Sequence, residues 1–122
     1  FIPGLQAHTI WVEEGNEKAG FNHMLKHESE FSRDGIGGIE LIEVAEAATK
    51  VGTRVSFQAG TTRKKAGAAS GRPIFLLIYK EIPLAVAISI GSNGFVVGMN
   101  RQSWEKNLGE IPLASIPQWP EL

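Results

Sequence analysis

The chain has 122 residues, a length that predicts one domain with a hydrophobic core of its own. Hydrophobic residues make up 43% and charged residues 20%, as in ordinary globular proteins, and the net charge of −1 argues against a general nucleic-acid binder. Cysteine is absent, which excludes a disulfide framework and a thiolate metal site. No apolar run approaches the roughly 18 residues of a membrane span, so no membrane segment is expected.

The first part of the chain carries the periodicity of two helices. Residues 17–31 and residues 38–50 each repeat apolar side chains at intervals of three and four, which places those side chains on one face of a helix. The Gly37-Gly38 pair separates the two segments, and Gly52 ends the second. We therefore predict two helices before any strand.

The pattern after Gly52 is that of strands. Short apolar or alternating runs predict four of them, at residues 54–58, 73–79, 84–90 and 95–99. The sequence Glu81-Ile82-Pro83 predicts a turn, and Asn93-Gly94 is a hairpin signal. The predicted fold class is α+β, with two N-terminal helices packed on an antiparallel sheet of about four strands.

These elements divide the chain into a lead-in at residues 1–16, a core at residues 17–100 and a C-terminal extension at residues 101–122. Within the extension, the tail at residues 109–122 is rich in proline and is predicted to run extended over the surface. Trp119 could contact a base or bind a partner, but packing on the core is the first expectation. The first residue is Phe1 and not methionine, which we interpret as the mark of one domain from a longer polypeptide.

Two of the three histidines, His23 and His27, lie four residues apart with Lys26 between them. On a continuous helix, positions i and i+4 share a face, so both imidazoles would project toward one region. Histidine both gives and takes protons near neutral pH, which makes this segment the leading candidate for catalysis. His27 is the first choice as general acid or base, and His23 is a second acid or base or an orienting group.

Two other interpretations of the histidine pair stay open. Histidines on helices are often solvated or partly buried without a catalytic role. Histidines at i and i+4 also ligate zinc, but Met24 follows His23, so the His-Glu-x-x-His order is absent. No third ligand stands out, although His8 or a nearby glutamate could serve. We therefore expect no metal and no cofactor.

Basic charge is concentrated in the middle of the chain. Residues 47–80 contain no Asp or Glu but carry seven of the twelve Lys and Arg residues, which predicts a basic surface suited to a polyanion. The loop at residues 60–71 resembles a phosphate clamp without the P-loop order, and the alternative is a solvated basic loop with no ligand. The candidate substrate-binding residues are Thr62, Arg63, Lys64, Lys65, Arg72, Ser92 and Asn100.

Cleavage of RNA needs the groups that this sequence offers. A base takes the proton of the ribose 2′-hydroxyl, an acid protonates the leaving 5′-oxygen, and a cation stabilises the phosphorane. The 2′-hydroxyl is an internal nucleophile, so the reaction requires no metal ion. Histidines, a lysine beside them and a cationic loop supply these functions.

The stretch Lys26-His27-Glu28-Ser29-Glu30-Phe31, followed by Asp34-Gly35-Ile36, resembles the Lys-His-x-x-Asp-Phe-Gly-Ile signature of colicin D-like tRNA nucleases. It departs from that signature by Glu30 in place of Asp and by a short insertion before Gly35-Ile36. Residues 92–98 resemble the family's last hairpin and strand. The order of elements over roughly residues 18–100 is similar to the superfamily that unites barnase, EndoU, colicin D and RelE-type ribonucleases.

This resemblance implies which residues would act. His27 matches the catalytic histidine of the signature, and Lys26 matches the lysine beside it. The family's Ser-Gly-Trp on the last strand meets Val97-Gly98-Met99, so its serine and tryptophan are missing here, and Ser92, Asn100 or Ser103 are candidates to replace the serine. His23 has no counterpart in the colicin D signature but is similar to the two-histidine plan of EndoU-like enzymes.

The resemblance also implies a function. It predicts a metal-independent endoribonuclease that cleaves tRNA and leaves a 2′,3′-cyclic phosphate, as a toxin domain of bacterial contact-dependent growth inhibition. Such a toxin is delivered from the cell surface by a larger carrier and acts in the cytoplasm of the target cell. Its expected partners are tRNA and a cognate immunity protein, and a host activating protein is a further candidate. The alternative is a non-catalytic nucleic-acid- or protein-binding module of a phage or bacterial surface protein.

Overall fold

The computed structural model describes residues 20–58, 72–90, 94 and 96–120, except for the side chains of His23, Phe57 and Gln58. The described chain contains helices before and after an antiparallel sheet, which confirms the predicted α+β class. None of the helices in this part of the chain has the length and apolar character that a membrane crossing requires.

The first predicted helix is broken into three pieces. Helix α1 spans Phe21–Met24, a 3₁₀ turn spans Leu25–His27, and helix α2 spans Glu28–Ser32. Side chains of α2 bond to distant parts of the chain. Glu28 accepts the backbone N–H of Gly38 at 2.5 Å, and Glu30 accepts the backbone N–H of Arg101 in the sheet at 2.9 Å. The predicted helix is therefore present but interrupted by a 3₁₀ turn, and its predicted first residues, 17–19, lie outside the described residues.

Helix α3 spans Glu40–Val51 and agrees closely with the second predicted helix. Its apolar face is buried on the sheet through Leu41, Val44, Ala45, Ala47 and Ala48. Gly52 follows its last residue with an extended backbone, and the position requires glycine because a Cβ atom there would lie 2.5 Å from the carbonyl oxygen of Ala48. The chain then turns directly into the sheet.

The four predicted strands are present as an antiparallel meander in the order β1-β2-β3-β4. A fifth strand, β5, at Gln118–Trp119, pairs in parallel with the end of β2. The carbonyl oxygens of Pro117, just before β5, and of Trp119 accept the backbone N–H groups of Ile78 and Lys80 at 2.8 and 2.7 Å. The turn between β2 and β3 is formed by Lys80 and Glu81, both at positive φ, so Ile82-Pro83 belongs to β3 and not to the turn. The bounds are β1 Thr53–Gln58, β2 Arg72–Tyr79, β3 Ile82–Ile90, β4 Val96–Gln102 and β5 Gln118–Trp119.

Both faces of the sheet are covered. Phe75, Leu77 and Tyr79 lie on the face that packs against the N-terminal helices, here called the helical face. Leu76 and Ala85 lie on the opposite face, where the C-terminal segment covers them. Strands β2 and β3 are buried along most of their length, which is the pattern of strands enclosed on two sides.

The C-terminal extension is therefore a structural layer. It contains helix α4 at Trp104–Leu108, a second 3₁₀ turn at Leu113–Ser115 and strand β5. Buried Ile116 and partly buried Trp104 pack on the second sheet face, so the extension covers that face. The predicted packing of Trp119 on the core is confirmed, since its side chain contacts the cluster on the helical face.

Candidate functional site

His27 lies at the break between the 3₁₀ turn and α2. Its backbone angles, φ −100° and ψ 8°, belong to the sparsely populated bridge region, where active-site residues are often found. Its side chain is 33% exposed, so it is partly accessible to solvent. Lys26 beside it is exposed, as a residue that meets a polyanion from solvent must be.

The carboxylate of Glu30 joins the His27 ring to the sheet. Its Oε2 lies 2.5 Å from Nδ1 of His27, and its Oε1 accepts the backbone N–H of Arg101 at 2.9 Å. Glu30 is on α2 and Arg101 is on β4, 71 residues further along the chain. One carboxylate thus contacts both the helix break and the edge strand.

The side chain of Arg101 makes a second connection between α2 and β4. Its Nε lies 3.0 Å from Oδ2 of Asp34, which follows α2, and the two side chains are 24% and 17% exposed. Both atoms are buried, and neither makes an aligned hydrogen bond within the described part of the chain. The contact is therefore an ion pair without hydrogen-bond geometry. It joins β4 to the segment after α2, and the backbone N–H of the same arginine contacts Glu30.

Two predicted substrate-binding residues lie on the other side of the sheet. Nη1 of Arg72 donates to Oδ1 of Asn100 at 2.7 Å. Arg101 is opposite Val86 on the helical face, and Asn100 precedes it on the strand and is opposite Ala87. Because successive strand residues point to opposite faces, the Arg72–Asn100 pair lies on the face away from His27. The structure does not bring these residues to the His27 site.

The remaining predicted site residues are only partly described. Thr62, Arg63, Lys64, Lys65 and Ser92 lie outside the described residues. His23 belongs to α1, and its side chain is outside the description. The rule that i and i+4 share a face holds for a continuous α-helix, and the 3₁₀ turn at Leu25–His27 interrupts that helix, so the rule does not apply to His23 and His27.

Part of the positive charge of residues 47–80 is neutralised in the fold by nearby carboxylates. Lys50 forms an ion pair with Glu46 at 2.9 Å, and Lys80 lies 3.3 Å from Glu40 and 3.1 Å from Glu43. These three carboxylates belong to α3, just before the acid-free stretch. Two of the seven basic residues are therefore paired with carboxylates that lie outside residues 47–80 in the sequence.

Tyr79, Lys80, Glu40 and Glu43 form a cluster that we call the tyrosine clamp. The Tyr79 hydroxyl lies 3.0 Å from Oε2 of Glu40 and also donates to Glu43. Burial, followed by the hydrogen bond to Glu43, raises the pKa of Tyr79 well above its usual range. The hydrogen bond from Tyr79, followed by that from Lys80, lowers the pKa of Glu43. The clamp fastens the β2–β3 turn to α3, which is a structural task.

Among residues 20–58, 72–90, 94 and 96–120, no group of three or more His, Asp or Glu side chains is arranged to hold a metal ion. The His27–Glu30 contact is a hydrogen-bonded arrangement suited to proton transfer, whereas the Arg101–Asp34 pair is a contact between two fixed charges.

Sequence reasoning named His27 but missed the two contacts of Glu30, one with the His27 ring and one with Arg101. Glu30 follows His27 by three residues, and side chains at that spacing on a helix are neighbours, so the sequence alone could have predicted this contact. The contact of Glu30 with Arg101 had no local signal, because only pairing of β4 against the helical layer brings the two together.

Comparisons with known proteins leave the resemblance untested. No protein-family model matches the chain, and no curated protein matches it.

Proposed function

We propose that this protein is a metal-independent endoribonuclease toxin domain that cleaves tRNA. The observation that supports the proposal best is the position of His27: a partly exposed imidazole at a helix break, with one ring nitrogen against the carboxylate of Glu30 and with exposed Lys26 beside it. A histidine that is held by a carboxylate and partly open to solvent is suited to general acid–base catalysis.

The reaction follows from the chemistry of RNA. The ribose 2′-oxygen attacks phosphorus as a base removes its proton, the bond from phosphorus to the 5′-oxygen breaks, and an acid protonates that oxygen. The products are a 2′,3′-cyclic phosphate and a 5′-hydroxyl. His27 is the leading acid or base, His23 is a candidate for the complementary role, and Lys26 with the basic loop residues holds the phosphates.

The biological setting is part of the same proposal. A nuclease of this kind must be neutralised in the cell that makes it, so a cognate immunity protein is expected, with acidic residues facing the basic loop. The domain would be delivered as part of a larger carrier and act in the cytoplasm of the target cell.

The test is incubation of total bacterial RNA with the purified protein in the presence of EDTA. We expect discrete tRNA fragments that end in 2′,3′-cyclic phosphate. The His27→Ala variant should lose about 10²- to 10⁴-fold in cleavage rate, as is typical when a general acid or base is removed. Its circular dichroism spectrum and its affinity for RNA should remain those of the unchanged protein.

Other outcomes would separate the alternatives. No cleavage of any RNA, with or without added divalent metal, would refute the nuclease proposal. Binding of RNA without cleavage would favour the non-catalytic binding module. Full activity of the His27→Ala variant would leave the nuclease standing but refute the assignment of the site.

A further inference from the structure

We propose that Glu30 is a positioning residue that fixes the tautomer of His27, so that the ring exchanges protons with substrate through Nε2. This inference rests on the proposed function for its catalytic consequence. Its structural part, the control of the tautomer by Glu30, can be measured on the protein without RNA.

The first step is the proton between the two side chains. Nδ1 of His27 and Oε2 of Glu30 are 2.5 Å apart, which is a hydrogen-bond distance. An ionised carboxylate only accepts hydrogen bonds, whereas a ring nitrogen of neutral histidine is either a donor or an acceptor. Nδ1 must therefore carry the proton, and in the neutral ring the basic lone pair is on Nε2.

The second step is what holds Glu30. Its other oxygen, Oε1, accepts the backbone N–H of Arg101 at 2.9 Å. Arg101 is opposite Val86 in the β3–β4 pairing, so this donor belongs to the sheet and does not move with α2. The sheet thus holds one oxygen of the carboxylate while the other oxygen contacts the ring.

The competing interpretation is an ordinary i,i+3 pair on a helix surface, which contributes little to stability and has no further role. The bond to Arg101 argues against it, because an ordinary surface pair does not include a backbone donor from an element 71 residues away. The backbone angles of His27, outside the helical region, also bring the ring to a position that a regular helix would not provide.

The Glu30→Gln variant tests the idea sharply, because it preserves shape but leaves only one acceptor oxygen. The N–H of Arg101 can only donate, so the amide oxygen should turn toward it. The amide NH₂ group then faces Nδ1 of His27 and donates to it. Nδ1 becomes the acceptor, and the proton of the neutral ring moves to Nε2.

The catalytic consequence follows from this shift. A ring protonated at Nε2 cannot take a proton there, so the rate of cleavage falls although the ring stays in place. In the serine protease triad, the corresponding Asp→Asn change keeps the geometry and lowers kcat by about 10⁴-fold through the wrong tautomer. We expect Glu30→Gln to lower kcat by at least about 10²-fold, the lower limit of general acid–base contributions, with little change in KM.

The experiment is two-bond ¹H–¹⁵N correlation spectroscopy of the imidazoles, at a pH where the rings are neutral. The chain has three histidines, so the His27→Ala variant identifies the signal of His27. We expect a proton on Nδ1 in the unchanged protein and on Nε2 in Glu30→Gln. The matched control is Glu46→Gln, which makes the same chemical change at an exposed glutamate that pairs with Lys50, and it should leave the His27 spectrum and the cleavage rate unchanged.

Each result decides the proposal. A proton on Nε2 of His27 in the unchanged protein would overturn it, and this result does not depend on whether Glu30→Gln folds. The same tautomer in the unchanged protein and in Glu30→Gln would also overturn it. A shifted tautomer with unchanged kcat would also overturn it. A shifted tautomer in a protein that never cleaves RNA would support the control of His27 by Glu30 and would refute only the proposed function.

Discussion

Replacement of Tyr79 by phenylalanine tests the tyrosine clamp. Tyr79 is 1% exposed, so phenylalanine retains the packed ring and removes only the hydroxyl and its hydrogen bonds to Glu40 and Glu43. A hydrogen bond to a charged acceptor contributes about 1.5–3 kcal/mol to stability. Both carboxylates are partly exposed and regain water in the variant, which reduces the loss. We therefore expect the free energy of unfolding to fall by about 1–2 kcal/mol.

The assay is urea unfolding followed by tryptophan fluorescence, since the chain has three tryptophans. A double-mutant cycle with Glu43→Ala, which removes the acceptor that glutamine would keep, isolates the pairwise contribution. Residues that share a hydrogen bond typically show a coupling of about 0.5–3 kcal/mol. The Glu46→Gln variant serves as a control, because Glu46 is on the same helix but pairs with Lys50. Equal stability of Tyr79→Phe and the unchanged protein, or zero coupling to Glu43, would show that the clamp does not fasten the turn to α3.

Two further predictions concern stability. The pKa of Glu43 in the folded state is below its ordinary value of 4.5, so its ionised form stabilises the fold above pH 4.5 and this contribution is lost as the pH falls through the folded-state pKa. Urea midpoints at pH 7 and near pH 3 should therefore differ less in Glu43→Gln than in the unchanged protein, and equal differences would contradict this. Ile116 is 5% exposed on the second sheet face. Its replacement by alanine should lower the free energy of unfolding by about 2–4 kcal/mol in the same assay, whereas a loss near zero would show that the C-terminal layer is dispensable.

Local patterns were sufficient to predict most of the elements. The periodicity of residues 38–50 predicted α3 to within two residues at its start and one at its end, and the apolar runs predicted all four strands of the meander. These predictions succeed because the repeat of side chains along a helix or strand is a local property. The continuous burial of β2 and β3 also had a signal, since apolar runs without alternation require cover on both faces.

Local patterns failed where distant groups decide the geometry. The periodicity of residues 17–31 favoured one helix, but Glu28 and Glu30 bond to Gly38 and Arg101, and the helix is interrupted at His27. The count of basic residues between 47 and 80 did not show that Lys50 and Lys80 meet carboxylates of α3.

The sequence by itself determined the fold class, the order of most elements and the choice of His27 as the residue to examine. Only the tertiary structure decided what surrounds that residue. Pairing of β4 beside the helical layer brings Arg101 to Glu30, and alternation along the same strand turns Asn100 to the opposite face. Helical periodicity acts within a few residues, whereas a site is formed by side chains that sheet register and packing bring together from across the chain.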